Sequence, residues 1–128
     1  MVKFILLFLF VMPFTSIDRY NDPLYKIAEA IKEDKINVLT KYMAEPVEIG
    51  LNSSSYAYTR YQAGKVIPSF LGLTNYRSVL ILKSGENPDH TRYALLRLTT
   101  NKGEYEVSVS LQLYDTQYLI NSLIFKKL

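Results

Sequence analysis

The side chains able to move a proton or hold a metal are few and scattered. His90 is the single histidine, set in Asn87-Pro88-Asp89-His90, which reads as a surface loop, and the chain has no cysteine. One histidine without a thiol leaves a zinc ion only dispersed carboxylates, and no EF-hand loop is present. No metal site and no cofactor are therefore expected. Serines occur without a nucleophile elbow, and no glycine-rich phosphate loop is found. Among the acids, Asp18, Asp22, Asp34 and Glu45 belong to a tail, a cap or connections, Glu86 and Asp89 to a loop and Asp115 to a turn. Whether any other carboxylate can do acid–base work depends on the elements that carry it.

Asp22-Pro23 has the form of a helix start, with an aspartate to cap free amides and a proline suited to the first turn. Leu24, Ile27, Ala28 and Ile31 share one face while Glu29 and Glu33 point away, which predicts an amphipathic helix from Pro23 to about Asp34. Asn37 can cap a second, shorter helix that carries Val38, Leu39, Tyr42 and Met43, and Pro46 ends it. Val47, Ile49 and Leu51 alternate with Glu48 and Gly50 as a short strand before an Asn52-Ser53-Ser54-Ser55 loop. Thr59-Arg60-Tyr61-Gln62 is a capping box opening a third helix that Gly72 stops, with a kink expected at Pro68.

From Tyr76 the periodicity changes to two. Strands are expected over Tyr76–Ser84, Thr91–Thr100, Glu104–Tyr114 and Gln117–Lys126, too close together for crossover helices and therefore an antiparallel meander. A Lys102-Gly103 turn sets Leu98 opposite Val107, Leu96 opposite Val109 and Ala94 opposite Leu111. It also opposes Arg97 to Ser108 and leaves Arg97 diagonal to Glu106 on the outer face. In the last strand, a bulge at Asn121-Ser122 lets Ile120, Leu123 and Phe125 share one side. Glu48, Glu104 and Glu106 then alternate outward, and no carboxylate is placed to enter the core.

The remaining composition bounds compartment and partners. Met1, Val2 and Lys3 precede the apolar run Phe4 to Phe14, which is shorter than the roughly 20 residues a bilayer span needs and fits a secretory h-region. Residues 1–16 are read as a signal peptide, 17–22 as a tail and 23–128 as a single domain, exported to a periplasm with no stable membrane anchor after cleavage. Removing Lys3 from the 15 basic residues leaves 14 against 12 acidic ones, a net charge of +2. Arg60, Arg77, Arg92 and Arg97 are separated and interleaved with acids, so no nucleic-acid stripe is expected. All 11 tyrosines lie beyond the leader, and tyrosine suits interfaces, pocket walls and half-buried sheet faces.

Helices, a short strand and a curved four-stranded meander follow the order of the cone-shaped nuclear transport factor 2-like (NTF2-like) fold, an α+β fold with N-terminal helices packed on a curved antiparallel sheet. The local sequence goes further: Ile-Ala-Glu-Ala-Ile-Lys from Ile27, Tyr58-Thr59-Arg60-Tyr61-Gln62-Ala63, Arg92-Tyr93-Ala94 and Tyr118-Leu119-Ile120 resemble a family of exported bacterial proteins, domain of unknown function 4783. The resemblance runs from about Leu24 to the end and implies fold and export but no activity. Ketosteroid isomerase is similar in fold, yet such chemistry needs a carboxylate inside the apolar cone. The candidate cavity is lined by Tyr61, Val66 and Phe70 from the third helix and Val107, Val109 and Leu111 from the sheet, with a polar atom from Asn121 or Ser122. A filled core is the competing reading of the same residues.

Three functions stay open: a non-enzymatic domain holding a small apolar ligand or a protein segment in the cone, an interaction or homodimerisation module using the outer sheet face, and an isomerase- or dehydratase-like enzyme. Tyr93, Leu95, Arg97, Ser108, Ser110 and Gln112 make that outer face mixed in character. The leader generates the first prediction: protein recovered from its native host should have an intact mass below the 14.8 kDa of the full chain, with an N-terminus near Ile17, and full-length chain in a membrane fraction would refute it.

Overall fold

The computed structural model describes residues 22–75 and 77–128; the expected leader, and the tail up to Asn21, lie outside the described residues. Helices α1 (Pro23–Lys32) and α2 (Ile36–Lys41) lead into strands β1 (Met43–Leu51) and β2 (Ser54–Tyr58). Helix α3 (Arg60–Leu71) follows, and the chain closes with β3 (Arg77–Glu86), β4 (Arg92–Thr100), β5 (Gly103–Tyr114) and β6 (Gln117–Lys127). One six-stranded sheet has the order β2-β1-β6-β5-β4-β3, and the helices pack on one face of it.

The α1 start is the expected one: Asp22 Oδ1 accepts from Leu24 N at 3.0 Å, and its other oxygen accepts from Arg92 Nη2 at 2.8 Å. Leu24, Ile27, Ala28 and Ile31 are buried. The helix stops at Lys32, short of Asp34, because Arg77 reaches in from β3. Its Nη1 donates to Ile31 O at 3.1 Å and its Nη2 lies 3.2 Å from Asp34, occupying a carbonyl that another turn of helix would have used. Asn37 is not the α2 cap. Lys35 N donates to Ala30 O at 2.9 Å, and α2 begins directly at Ile36 with no side-chain cap.

The short strand starts at Met43, not Val47, and contains Pro46, preceded by a cis peptide bond. A missing amide is tolerated there because β1 bulges between Met43 and Glu48, out of register with β6. β1 runs parallel to β6, so the sheet is mixed where an antiparallel one was expected; the β3–β6 meander itself is antiparallel. The expected Asn52–Ser55 loop is only a turn, with Asn52 at φ 57, and β2 returns antiparallel along β1. Asn52 fastens this turn to β6 by donating from its amide to Phe125 O and accepting at Oδ1 from Lys127 N.

The α3 capping box forms as read: Gln62 N donates to Thr59 Oγ1 at 3.2 Å and Thr59 N to Gln62 Oε1 at 2.9 Å. The helix continues through Pro68 to Leu71, since the proline sits on the exposed side while Ala63, Ile67 and Leu71 face the core. Gly72 ends it at φ 66, a conformation that glycine adopts without a Cβ clash.

The β4–β5 turn is Asn101-Lys102, one residue earlier than expected, so Leu98 faces Tyr105, Leu96 faces Val107, Ala94 faces Val109, and Arg97 lies directly opposite Glu106. Thr100 decides this, accepting from Lys102 N and donating to Gly103 O, both at 3.0 Å, which closes the hairpin at Thr100 and Gly103. The pairing has slipped by two residues, so every side chain keeps its face. In β6 the bulge is present: Ser110 pairs with Ser122 and Leu111 with Ile120, leaving Asn121 extra, and Ile120, Leu123 and Phe125 are all fully buried.

Close approach of β1, β2 and β6 depends on Gly50. A Cβ there would lie 2.7 Å from Ile124 Cδ1, 2.9 Å from Ser55 Cβ and 3.1 Å from Ser54 O. Gly50→Ala is therefore expected to destabilise the fold by about 1–3 kcal/mol through overpacking, read from the midpoint of urea unfolding; an unchanged midpoint would show that these strands part without strain.

Candidate functional site

The residues expected to line one cavity fall on two faces of the sheet. Val107, Val109 and Leu111 are buried in the main core cluster with Val66 and Phe70 packed against it, and Phe70 meets Phe125 edge-on at 6.4 Å between ring centroids. Tyr61 does not turn inward. It is 73% exposed on the first turn of α3, with Lys65 Nζ 5.0 Å from its ring centroid. Asn121 and Ser122 lie on the outer face, where Asn121 Nδ2 donates to Gln112 Oε1 at 3.2 Å and Ser122 Oγ to Glu48 Oε1 at 2.9 Å. The same bulge that turns Ile120 and Leu123 inward turns these polar groups out, so they give no polar handle to the interior.

Between the helices and the sheet, a cavity lined by Ile31, Ile36, Leu39, Ile67, Leu71 and Phe125 holds about 10 Å³. That is no more than the space of a single water. Ile27, Met43, Leu96 and Leu98 are fully buried around it, so the side chains fill this part of the cone.

The outer face is built differently. Gly85, Tyr93, Ser110, Ser122 and Glu48 lie side by side across five strands, and the next row is Lys83, Leu95, Ser108, Ile124 and Gly50. Small serines between Tyr93 and Leu95 on one side and β6 on the other leave a shallow groove of about 350 Å³ that Lys83 also borders. Tyr93 lies across its cross-strand neighbour Gly85, whose absent Cβ would sit 2.6 Å from the phenol oxygen. Beyond Ser122, Glu48 accepts from Ser122 Oγ at Oε1 and from Ser55 Oγ at Oε2 at 2.8 Å. Arg97 Nε and Asn121 Oδ1 are enclosed without a hydrogen-bond partner among the described residues. Enclosed, unpaired polar atoms cost free energy, and native surfaces seldom keep them idle.

These groups can hold a ligand: hydroxyls that donate and accept, a phenol, an ammonium and a carboxylate. Among the described residues no three His, Asp or Glu side chains gather as a metal site. His90 stands in its expected loop, with Nδ1 3.7 Å from Glu86. Titration shifts follow local contacts. Bonds from the Thr91 hydroxyl and amide hold the Asp89 carboxyl below its ordinary value, and Lys35 does the same for Glu33, which in turn raises Lys35. All three groups are remote from the groove. Sequence reading found Tyr93, Leu95, Ser108 and Ser110 by alternation but missed Lys83, because Leu82 is an extra residue in β3 that resets the phase; the run Leu80-Ile81-Leu82, which breaks alternation, was the available signal.

No curated protein matches the chain. Among solved structures, it is similar to a DUF4783 family protein from Bacteroides uniformis, with 19% identity and a TM-score of 0.76 over 84% of this chain and 98% of that one. A second DUF4783 protein, from Bacteroides ovatus, gives 20% identity and 0.72 over 80% and 93%. An NTF2-like protein of unknown function from Cytophaga hutchinsonii gives 10% and 0.58 over 81% and 85%. At these identities the likeness speaks for the fold, which is α+β and NTF2-like. The profile of one family, described as domain of unknown function DUF4783, matches residues 24–126, and the chain accordingly belongs to the DUF4783 family.

Proposed function

We propose that this chain is an exported, non-enzymatic binding module that receives a protein segment on the outer face of its sheet. The observation that carries the reading is a contrast across the middle of the sheet: about 10 Å³ remains where α2 and α3 cover it, whereas an open groove of about 350 Å³ lies on the outer face, and the wider cleft on the helix side lies at the sheet edge between α1 and β3. A phenol and an aliphatic side chain beside hydroxyl groups suit an extended polypeptide, whose backbone supplies donors and acceptors at strand spacing. Export rests on the basic start and short apolar run of residues 1–16. Binding without turnover is favoured because no carboxylate is among the described residues lining the groove, and Glu48, bonded to Ser122 beside it, has both oxygens engaged by serine hydroxyls.

A photo-crosslinking residue at Ser108, compared with one at Tyr61, tests this in the native envelope. Adducts with a distinct envelope protein are expected from Ser108 and not from Tyr61. Ser108→Trp, which fills the groove, should then weaken binding of that purified protein at least roughly tenfold while the variant stays folded. By contrast, Val109→Trp should destabilise the fold by about 1–3 kcal/mol, since the Val109 side chain is buried in the main core cluster. Absence of adducts at Ser108, or adducts equal at both positions, would overturn the outer-face reading; adducts between two copies would replace it with dimerisation through this face.

A further inference from the structure

Among the described residues β3 is the last strand of the sheet, and it keeps three consecutive apolar residues exposed: Leu80 at 62%, Ile81 at 39% and Leu82 at 42%. An edge strand of this kind presents unpaired backbone groups and apolar side chains together, which makes it a template for further pairing. Helix α1 does not close the space beside it. A cleft of about 650 Å³ separates the two, bordered by Leu24 and Ala28 on the helix and Val79 and Ile81 on the strand.

The bulge at Leu82 determines which partner fits. Asn87 N donates to Thr91 O at 2.8 Å where β3 turns into β4, so by antiparallel alternation Ser84 and Glu86 turn their backbone groups to the open side. At the other end, Thr100 closes the β4–β5 hairpin with Gly103, so its backbone faces β5, and Arg77 opposite it also faces the open side, as does Val79. The phase of β3 thus switches from odd to even residues at Leu82. A partner strand of uniform phase cannot match the open-side residues on both sides of this switch, because they change from odd to even. A second copy carries the same switch. A two-fold axis between Ile81 and Leu82 sets Val79 opposite Ser84 and Arg77 opposite Glu86, all of them open-side residues. The same register lays Leu80 against the aliphatic stem of Lys83 and opposes no like charges, the Arg77 guanidinium being already engaged by Asp34 and Ile31 O within its own chain.

We infer that β3 pairs antiparallel with β3 of a second copy of this chain, joining two six-stranded sheets edge to edge. The interface is isologous, as expected of a two-fold dimer, and shares with the outer-face groove only its bordering Lys83. Sedimentation of the protein purified from its host is the test, combined with amide hydrogen exchange. A dimer is expected, with the Val79 and Ser84 amides protected only at concentrations where it forms. Leu80→Lys alters an exposed side chain, and Ser84→Pro removes an amide that faces away from β4, so both variants should fold; each should raise the dimer dissociation constant at least roughly tenfold. A monomer at all concentrations up to about 100 μM would overturn the inference. So would a dimer that survives both substitutions with the Val79 and Ser84 amides exchanging freely. Ser108 lies on β5, two strands from this edge, so its crosslinks to a distinct protein and the protection of the Val79 and Ser84 amides are separate readouts, and either proposal can fail without the other.

Discussion

β6 is hydrogen-bonded on one side to β1, which carries β2, and on the other to β5, which carries β4 and β3. It must therefore present one buried face to the helices while keeping register with a parallel neighbour and an antiparallel one. Its apolar residues Ile120, Leu123 and Phe125 are spaced by three and then two, which a regular strand would place on opposite faces. Asn121, the extra residue, resolves the conflict. All three side chains become fully buried, and the partner strand β1 accommodates the irregularity with its own break in register between Met43 and Glu48. Pro46 falls within that break, where a strand can do without an amide.

The division of side chains between the two faces of the sheet follows from the same bulge. Once Ile120, Leu123 and Phe125 all point under the helices, they fill the cone with Ile67, Leu71 and Phe70, and the polar members of β6 go to the other side. Ser122 then meets Ser110 and Glu48, and Asn121 meets Gln112, on a face whose other residues are Tyr93, Leu95 and Ser108. An NTF2-like scaffold with a hollow interior would need smaller residues at these inward positions. Packing at native density leaves a guest no room where the core side chains interlock.

Local features were readable in advance where a short-range interaction determines them. The Asp22 cap, the Thr59–Gln62 capping box, the Gly72 stop and the alternation of the meander each depend on residues a few positions apart, and all appear in the structure. The Asn121 bulge was readable for a related reason, since two apolar sets in one strand cannot share a core without it. Errors arose where a distant group intervened. Arg77 ends α1 from β3, Asn52 is fixed by the far end of β6, and Thr100 moves the hairpin turn by one residue through hydrogen bonds that composition does not reveal. Assigning Asn121 and Ser122 to the interior was the error with most consequence, because it did not follow the bulge to its own implication: a residue beside a fully inward Leu123 must face outward.

By itself, the amino-acid sequence determined the element types, the faces of the meander strands and the resemblance to the DUF4783 family, because propensity, capping and two-residue alternation act within a few residues of the chain. Only the tertiary structure decided that β1 runs parallel to β6, that the core is filled beneath α2 and α3 and that β3, among the described residues, forms the edge of the sheet with apolar side chains exposed. Each of these depends on which strands become neighbours across long stretches of chain, and the free energy that selects such neighbours comes from the simultaneous burial of many side chains.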